Sequence, residues 1–401
     1  MAYTDKSKLR VVYGDYTLGV HGKEFNYIFS YAQGGLESIV KNGYEWLYRC
    51  PKPTFWRALT DNDRGSKFHI KSGSWLSADM FIDCKDVQVF MDGEVQKIYA
   101  PDNNSYEGDV SADEIRVQYT YETINTPSTT VVVTYTVDIT GKIQVNVHYN
   151  GVKGLPEFPV FGMRFVMPTL ADKYLYKGLS GETYPDRKAG AIEGVYEVSD
   201  LSLTPYLVPQ ECGMRMDTEW VDIVRHTSLD NSRTDYSSQT LRIEKKDEPF
   251  AFSCLPYTAS EIENALHHEE LPPARRTILC IYGAVRGVGG IDSWGSNVED
   301  EYCRRRYRLF IYYLLSKVGT HMNVKITRDW TKSFFVMIVA VIIMGMCVSL
   351  LVMCDMGTDP FNMNLRIGIL IPALILFILA AAIYMQSGHG TAPYDAVSFF
   401  D

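Results

Sequence analysis

The chain has no pair of cysteines two residues apart, no glycine-rich phosphate loop leading into a helix, and neither an H-E-x-x-H nor a G-x-S-x-G motif. The first absence argues against a zinc ribbon or a thioredoxin-type site. The others argue against a nucleotide-phosphate cradle, a zinc protease and a serine-hydrolase elbow. The eight cysteines, at 50, 84, 212, 254, 280, 303, 347 and 354, are scattered along 401 residues and form no compact disulfide framework. They read as reduced, cytoplasmic and mostly core residues. Met1–Tyr13 lacks the apolar stretch of a secretory signal. Positive charge is in the minority, 39 Lys and Arg against 48 Asp and Glu for a net −9. That balance excludes nucleic acid as the main partner, because phosphate binding needs a basic surface. Carboxylates are plentiful, yet no pair is marked out for acid–base chemistry. His267-His268-Glu269-Glu270 reads as a polar helix end before it reads as a metal cluster.

What is present is a tyrosine-rich run of short strands. Tyrosine occurs 27 times, against 6 Trp and 18 Phe. Val131–Val137 and Ile143–Tyr149 are dense in β-branched and aromatic residues, with Asp138–Lys142 turning between them. Ile115–Tyr121, Phe158–Met167 and Thr277–Tyr282 read the same way, and only Ser260–His268 suggests a short helix. Strands without interposed helices predict a mainly β fold, a large antiparallel β-sandwich over residues 1–316.

The pattern changes at Arg304–Lys332, a basic stretch that reads as a linker over 317–332 or, in part, as a solvated strand edge. Beyond it lie two uncharged runs, 22 residues at Ser333–Cys354 and 19 at Ile367–Met385. At about 1.5 Å per residue each is long enough to cross a ~30 Å hydrocarbon layer. Residues 333–401 are therefore expected to form a two-helix transmembrane hairpin, with 333–385 anchoring the chain in the inner or plasma membrane and the basic side in the cytoplasm. Gly357-Thr358-Asp359-Pro360-Phe361-Asn362 is echoed 33 residues later by Gly390-Thr391-Ala392-Pro393-Tyr394-Asp395, which reads as a duplication.

Four segments are unusual for structural filler. They are Phe55-Trp56-Arg57-Ala58-Leu59-Thr60-Asp61-Asn62-Asp63-Arg64-Gly65, Gly181-Glu182-Thr183-Tyr184-Pro185-Asp186-Arg187, Thr204-Pro205-Tyr206 with Pro209-Gln210-Glu211-Cys212-Gly213, and Gly287-Val288-Gly289-Gly290-Ile291-Asp292-Ser293-Trp294-Gly295. A Trp among glycines can reach outward, and a rigid exposed aromatic is a platform for the apolar face of a sugar. The alternative is a Trp folded back to plug the end of the sandwich.

In this order, over roughly residues 8–312, the four segments resemble the C-terminal domain of family 2 β-galactosidases, and the chain's start resembles the separate small subunit of heterodimeric members. The resemblance implies a galactose-mutarotase-like supersandwich. It places the acid/base and nucleophile glutamates on a large barrel subunit, so that this chain is inactive alone and holds no catalytic residue. It implies that Trp294 closes over the sugar of a terminal β-D-galactoside such as lactose, with Asp292 and Ser293 positioning the loop. Gly65, Ser66, Lys67, Phe68 and His69 match the start of a loop that moves as the site closes. Arg57, Asp61, Asn62, Asp63, Glu182, Tyr184, Asp186, Arg187 and Glu211 match structural positions, where Arg–carboxylate pairs and Asx turns set the loop's base. Cys212 and Ile291 depart from the family pattern, which often has Asn and an acidic residue there. No cofactor or metal is expected on this chain, while the resemblance implies Mg and Na on the large subunit.

The tail resembles a fragment of the YczE-like integral membrane proteins, which implies a fused, internally deleted remnant. Two other readings stand beside the subunit. One is a noncatalytic carbohydrate-binding or scaffold sandwich tethered to the membrane, and the other a membrane transport or sensor protein acting through its tail.

Overall fold

The structure, a computed structural model, describes residues 7–98, 110–303 and 308–317. The chain divides into a unit of 1–187 with 195–325 and a second of 188–194 with 326–401. The fold below is that of the first unit. The two uncharged runs and the repeated motif lie outside the described residues, among which no helix is long and apolar enough to cross a membrane.

Six strands open the fold: β1 (Leu9–Tyr13), β2 (Thr17–His21), β3 (Phe25–Ser30), β4 (Gly35–Lys41), β5 (Tyr44–Glu45) and β6 (Arg49–Thr54). Two one-turn helices follow, α1 (Asp61–Gly65) and α2 (Phe68–Ser72). Next come β7 (Asp83–Met91), β8 (Glu94–Gln96), β9 (Val110–Ala112), β10 (Glu114–Glu122), β11 (Thr130–Asp138), β12 (Ile143–Asn150), β13 (Val160–Met167) and β14 (Lys173–Leu179). Then come β15 (Glu193–Val198), β16 (Arg215–Thr218), β17 (Trp220–Arg225), β18 (Gln239–Lys245) and β19 (Phe250–Leu255). Helix α3 (Ala259–Asn264) separates these from β20 (Thr277–Val285) and β21 (Arg308–Lys317).

Three sheets result, with antiparallel ladders in each. One has six strands in the order β5-β4-β3-β2-β1-β9, one has ten in the order β15-β14-β17-β18-β21-β12-β11-β10-β7-β8, and one has five in the order β16-β19-β20-β13-β6. Period-two alternation explains the ten-stranded sheet. In β11 every second residue (Val131, Val133, Tyr135, Val137) is buried, and its neighbours β10 and β12 repeat the pattern in register. The five-stranded sheet is apolar on both faces. Leu279 and Ile281 of β20 join a core shared by all three sheets, while Ile278, Cys280 and Tyr282 face a second cluster with Val160, Tyr184 and Met214. Aromatic contacts knit the layers: Phe29 with Tyr135, Phe165 with Tyr313, and Tyr174 with Phe252, at centroid separations of 5.9, 5.1 and 5.5 Å.

The expected strands are all present. The expected helix at 260–268 is shorter, because Ala265 turns to an extended conformation and closes α3. Residues 308–317 are not a sheet edge. As β21 they lie between β12 and β18. Cys50, Cys212, Cys254 and Cys280 are buried free thiols, and Cys84 and Cys303 are half-buried.

Candidate functional site

The second face of the five-stranded sheet carries the site. After β6 the chain runs Phe55-Trp56-Arg57 and then turns into α1. Thr60 caps that helix: its hydroxyl accepts from the Asp63 amide at 3.1 Å, and the Asp63 carboxylate accepts from the Thr60 amide at 3.0 Å. This reciprocal box satisfies two donors that a helix start otherwise leaves open. It also aims Asp63 inward, where it meets Arg57 at 2.7 Å and Arg286 at 3.4 Å. All three residues are buried. Burial raises the pKa of Asp63, but Arg57, the Thr60 amide and Arg286 together outweigh it and hold the carboxyl below its usual range. Arg286 bridges onward to Glu157 at 3.2 Å, and its guanidinium carbon lies 4.1 Å from the Phe68 ring centroid.

A second carboxyl behaves oppositely. Glu211 is buried beside Tyr184, whose hydroxyl donates to it at 3.4 Å and also reaches Glu182 at 3.3 Å. Burial pushes the Glu211 pKa up to about 8, with Arg57 opposing and Glu182 and Asp63 adding to the rise. Glu182 in turn accepts from the Thr204 hydroxyl at 3.0 Å, tying in the Thr204–Tyr206 segment. Gln210 accepts from the Asp61 amide at 2.8 Å. All four sequence segments thus converge on one polar cluster.

The glycine-rich loop after β20 is held from beneath. Asp186, its side chain fully buried, accepts from the amides of Val288 at 3.0 Å and Gly289 at 2.7 Å. Arg187 donates to the Gly289 carbonyl at 2.5 Å, and Arg57 donates to that of Gly287 at 3.3 Å. Asn62 bonds Val288, Gly295 and Ser296. At the tip, Ile291, Asp292, Ser293 and Trp294 are exposed, Trp294 at 75%. The indole is not folded back into the sandwich. Gly65, ending α1, lies against this loop: a Cβ there would stand 3.0 Å from the Gly295 Cα and 3.4 Å from the Trp294 ring.

The segment matched to a moving loop is here mostly helical turn. Ser66 donates to the Asp63 carbonyl at 3.1 Å, and Lys67 opens α2 in the left-handed region at φ 60°. Phe68 is buried and stacks on Trp56 at 6.2 Å, with half-buried His69 following it. The base of the loop rests on the Thr60–Asp63 box where Asx turns were expected. Sequence reasoning missed that box, although the T-x-x-D spacing announced it. It also missed Arg286 and Glu263, the latter accepting from the Leu59 amide at 2.7 Å and pairing with Arg64 at 3.3 Å. His267–Glu270 forms no metal centre: among the described residues no group of three or more His, Cys, Asp or Glu could hold an ion.

Chemically, the inner carboxyls are committed. Asp63 is neutralised by two arginines, Asp186 is spent on backbone amides, and Glu211 is sealed from solvent. These three carboxyls are closed off from solvent, whereas the Trp294 indole is open to it.

The family described as Beta galactosidase small chain matches residues 21–313. The chain is 58% identical over 303 residues to a β-galactosidase small subunit of Latilactobacillus sakei, covering 75% of this chain and 95% of that one. It is 33% identical over 299 residues to a β-galactosidase of Streptococcus thermophilus, covering 74% of this chain and only 26% of that protein. Among solved structures it is similar to a putative aldose 1-epimerase of Escherichia coli K12, at 8% identity and a TM-score of 0.35 over 77% of this chain and 99% of that one.

Proposed function

The chain belongs to the β-galactosidase small-chain family, and we propose that it lends the wall of a galactoside site to a larger, barrel-bearing chain that performs the hydrolysis. Retaining glycosidases need two carboxyls about 5 Å apart flanking the glycosidic oxygen. Asp63, Asp186 and Glu211 are buried and engaged, and in this reading the reacting pair lies on the partner. The observation that carries the reading is Trp294, 75% exposed on a loop whose backbone is bonded to side chains of two other segments, Phe55–Gly65 and Gly181–Arg187. An indole held out rigidly offers a flat apolar face to the C–H face of a galactosyl ring. Asp292 and Ser293 stand beside it and shape the same loop. Gly65–His69 border it and respond to sugar binding. Mg and Na, where the complex uses them, sit on the larger chain.

The full chain mixed with the barrel-bearing chain is expected to hydrolyse lactose, with neither active alone. Trp294→Ala in the mixture is expected to raise KM about tenfold, as loss of ~1.4 kcal/mol of stacking would. An unchanged KM and turnover would reject the wall role. Residues 333–385 tether the complex to a bilayer in this reading, on the strength of their length, lack of charge and resemblance to YczE-like proteins. Recovery of the full-length product solely in the soluble fraction would remove that part.

A further inference from the structure

We propose that Asn62 is the positioning residue for the exposed indole: its carboxamide fixes where the Trp294 loop stands. This rests on the wall reading above. Asn62 is the second residue of α1, and its orientation is set by its neighbours, since Thr60 caps the helix and Asp63 is locked between two arginines. Its Nδ2 donates to the carbonyls of Val288 at 2.9 Å and Ser296 at 3.0 Å, and its Oδ1 accepts from the Gly295 amide at 2.6 Å. Two carbonyls at one end and one N–H at the other allow a single amide orientation. The three partners bracket Trp294 on both sides, so one side chain closes the loop into a ring.

The glycines give an independent line. A Cβ on Gly289 would stand 2.5 Å from Asn62 Nδ2, and one on Gly290 would stand 2.9 Å from Asn62 Oδ1. These glycines therefore admit the carboxamide as well as freeing the loop to reach outward. Gly289, Gly290 and Gly295 all have positive φ, at 70°, 72° and 80°. Backbone this permissive has much conformational entropy to lose, and inside the loop the Ser296 amide donates to the Ser293 carbonyl at 3.0 Å, to which side chains outside the loop add their bonds. Asp186 and Arg187 hold the first arm at Val288 and Gly289. Asn62 reaches the second arm, immediately after Trp294.

The decisive variant is Asn62→Asp, which keeps the shape and the acceptor for Gly295 but sets a carboxylate oxygen against two carbonyls. Packing alone tolerates it, and tethering does not. The full chain without partner is probed by hydrogen exchange over 288–296, and the complex by KM and kcat on lactose. The loop is expected to exchange at least about tenfold faster in Asn62→Asp, which loses two hydrogen bonds, and in Asn62→Ala, which loses all three, with KM rising several-fold and kcat changing less. Wild-type exchange over 288–296 in both variants would overturn the tether. Faster exchange with an unchanged KM would overturn the positioning role. If Trp294→Ala also leaves KM unchanged, it is the wall reading that has failed, and the exchange data alone then judge the tether. Should neither variant fold, the wild-type Gly295 amide decides: protected exchange supports the tether, and exchange at the rate of an open loop overturns it.

Discussion

At the residue scale, Glu211 and Asp63 show how one polar cluster holds two carboxyls in different states. Both are buried, and Arg57 acts on both. Asp63 has a direct 2.7 Å contact with that guanidinium, plus Arg286 and a backbone amide, and stays charged. Glu211 has a tyrosine hydroxyl and two nearby carboxylates, so burial wins and its pKa rises to about 8. A carboxyl raised in the folded state binds its proton there while the unfolded chain, near 4.5, has released it. Stability on this account is fully present below about 4.5 and is lost as pH rises toward about 8. Glu211→Gln keeps an acceptor for Tyr184 and removes the titration, so its urea midpoint is expected to fall less between about pH 5 and pH 8 than that of the wild type. Parallel pH profiles for the two proteins would contradict the assignment. Some of this cluster was legible beforehand. The family resemblance implies Arg–carboxylate pairs around Arg57, though not which carboxylate it meets. The contacts of Asn62 are not legible, because its partners lie 226 to 234 residues away and are backbone atoms that no residue code advertises.

At the scale of the element, β10 to β12 were readable because one face is wet and one dry, and composition follows the pleat. Strands β13, β19 and β20 are buried on both faces, so alternation disappears and only β-branched and aromatic enrichment marks them. Helix α1 went unread for a different reason: five residues are too few for hydrophobic periodicity, and only its cap identifies it. Gly162 shows what a sequence hides within a strand. It lies at a register shift between β13 and β20, where a Cβ would stand 1.9 Å from the Ile281 carbonyl oxygen and 2.8 Å from the Tyr282 Cα. Those obstacles are backbone and cannot rotate away. Gly162→Ala is expected to cost roughly 2–3 kcal/mol or more, seen as a lower urea midpoint at an unchanged slope. A midpoint within error of wild type would mean that the ladder can part there at little cost.

At the scale of the whole molecule, the strand order places β21 where no local signal could. Its ten residues follow every other described strand, yet it lies between β12 and β18, pairing Val145 with Ile311 and Ile243 with Tyr313. On one side of it are β12-β11-β10-β7-β8, and on the other β18-β17-β14-β15. Ile311 and Tyr313 are 0% and 1% exposed, and the Tyr313 ring meets Phe165 of the five-stranded sheet. Without β21 the ten-stranded sheet becomes two smaller ones, each with a new open edge of unpaired backbone, and the shared core loses an aromatic from its middle. The join is also late in folding terms, because β21 closes loops of more than a hundred residues against β12. A chain ended after residue 306 is therefore expected to lose cooperative unfolding and to aggregate, even though it keeps all four segments of the site. A sharp urea transition near the full-length midpoint in that truncated chain would show that the two halves of the sheet hold together without the strand between them.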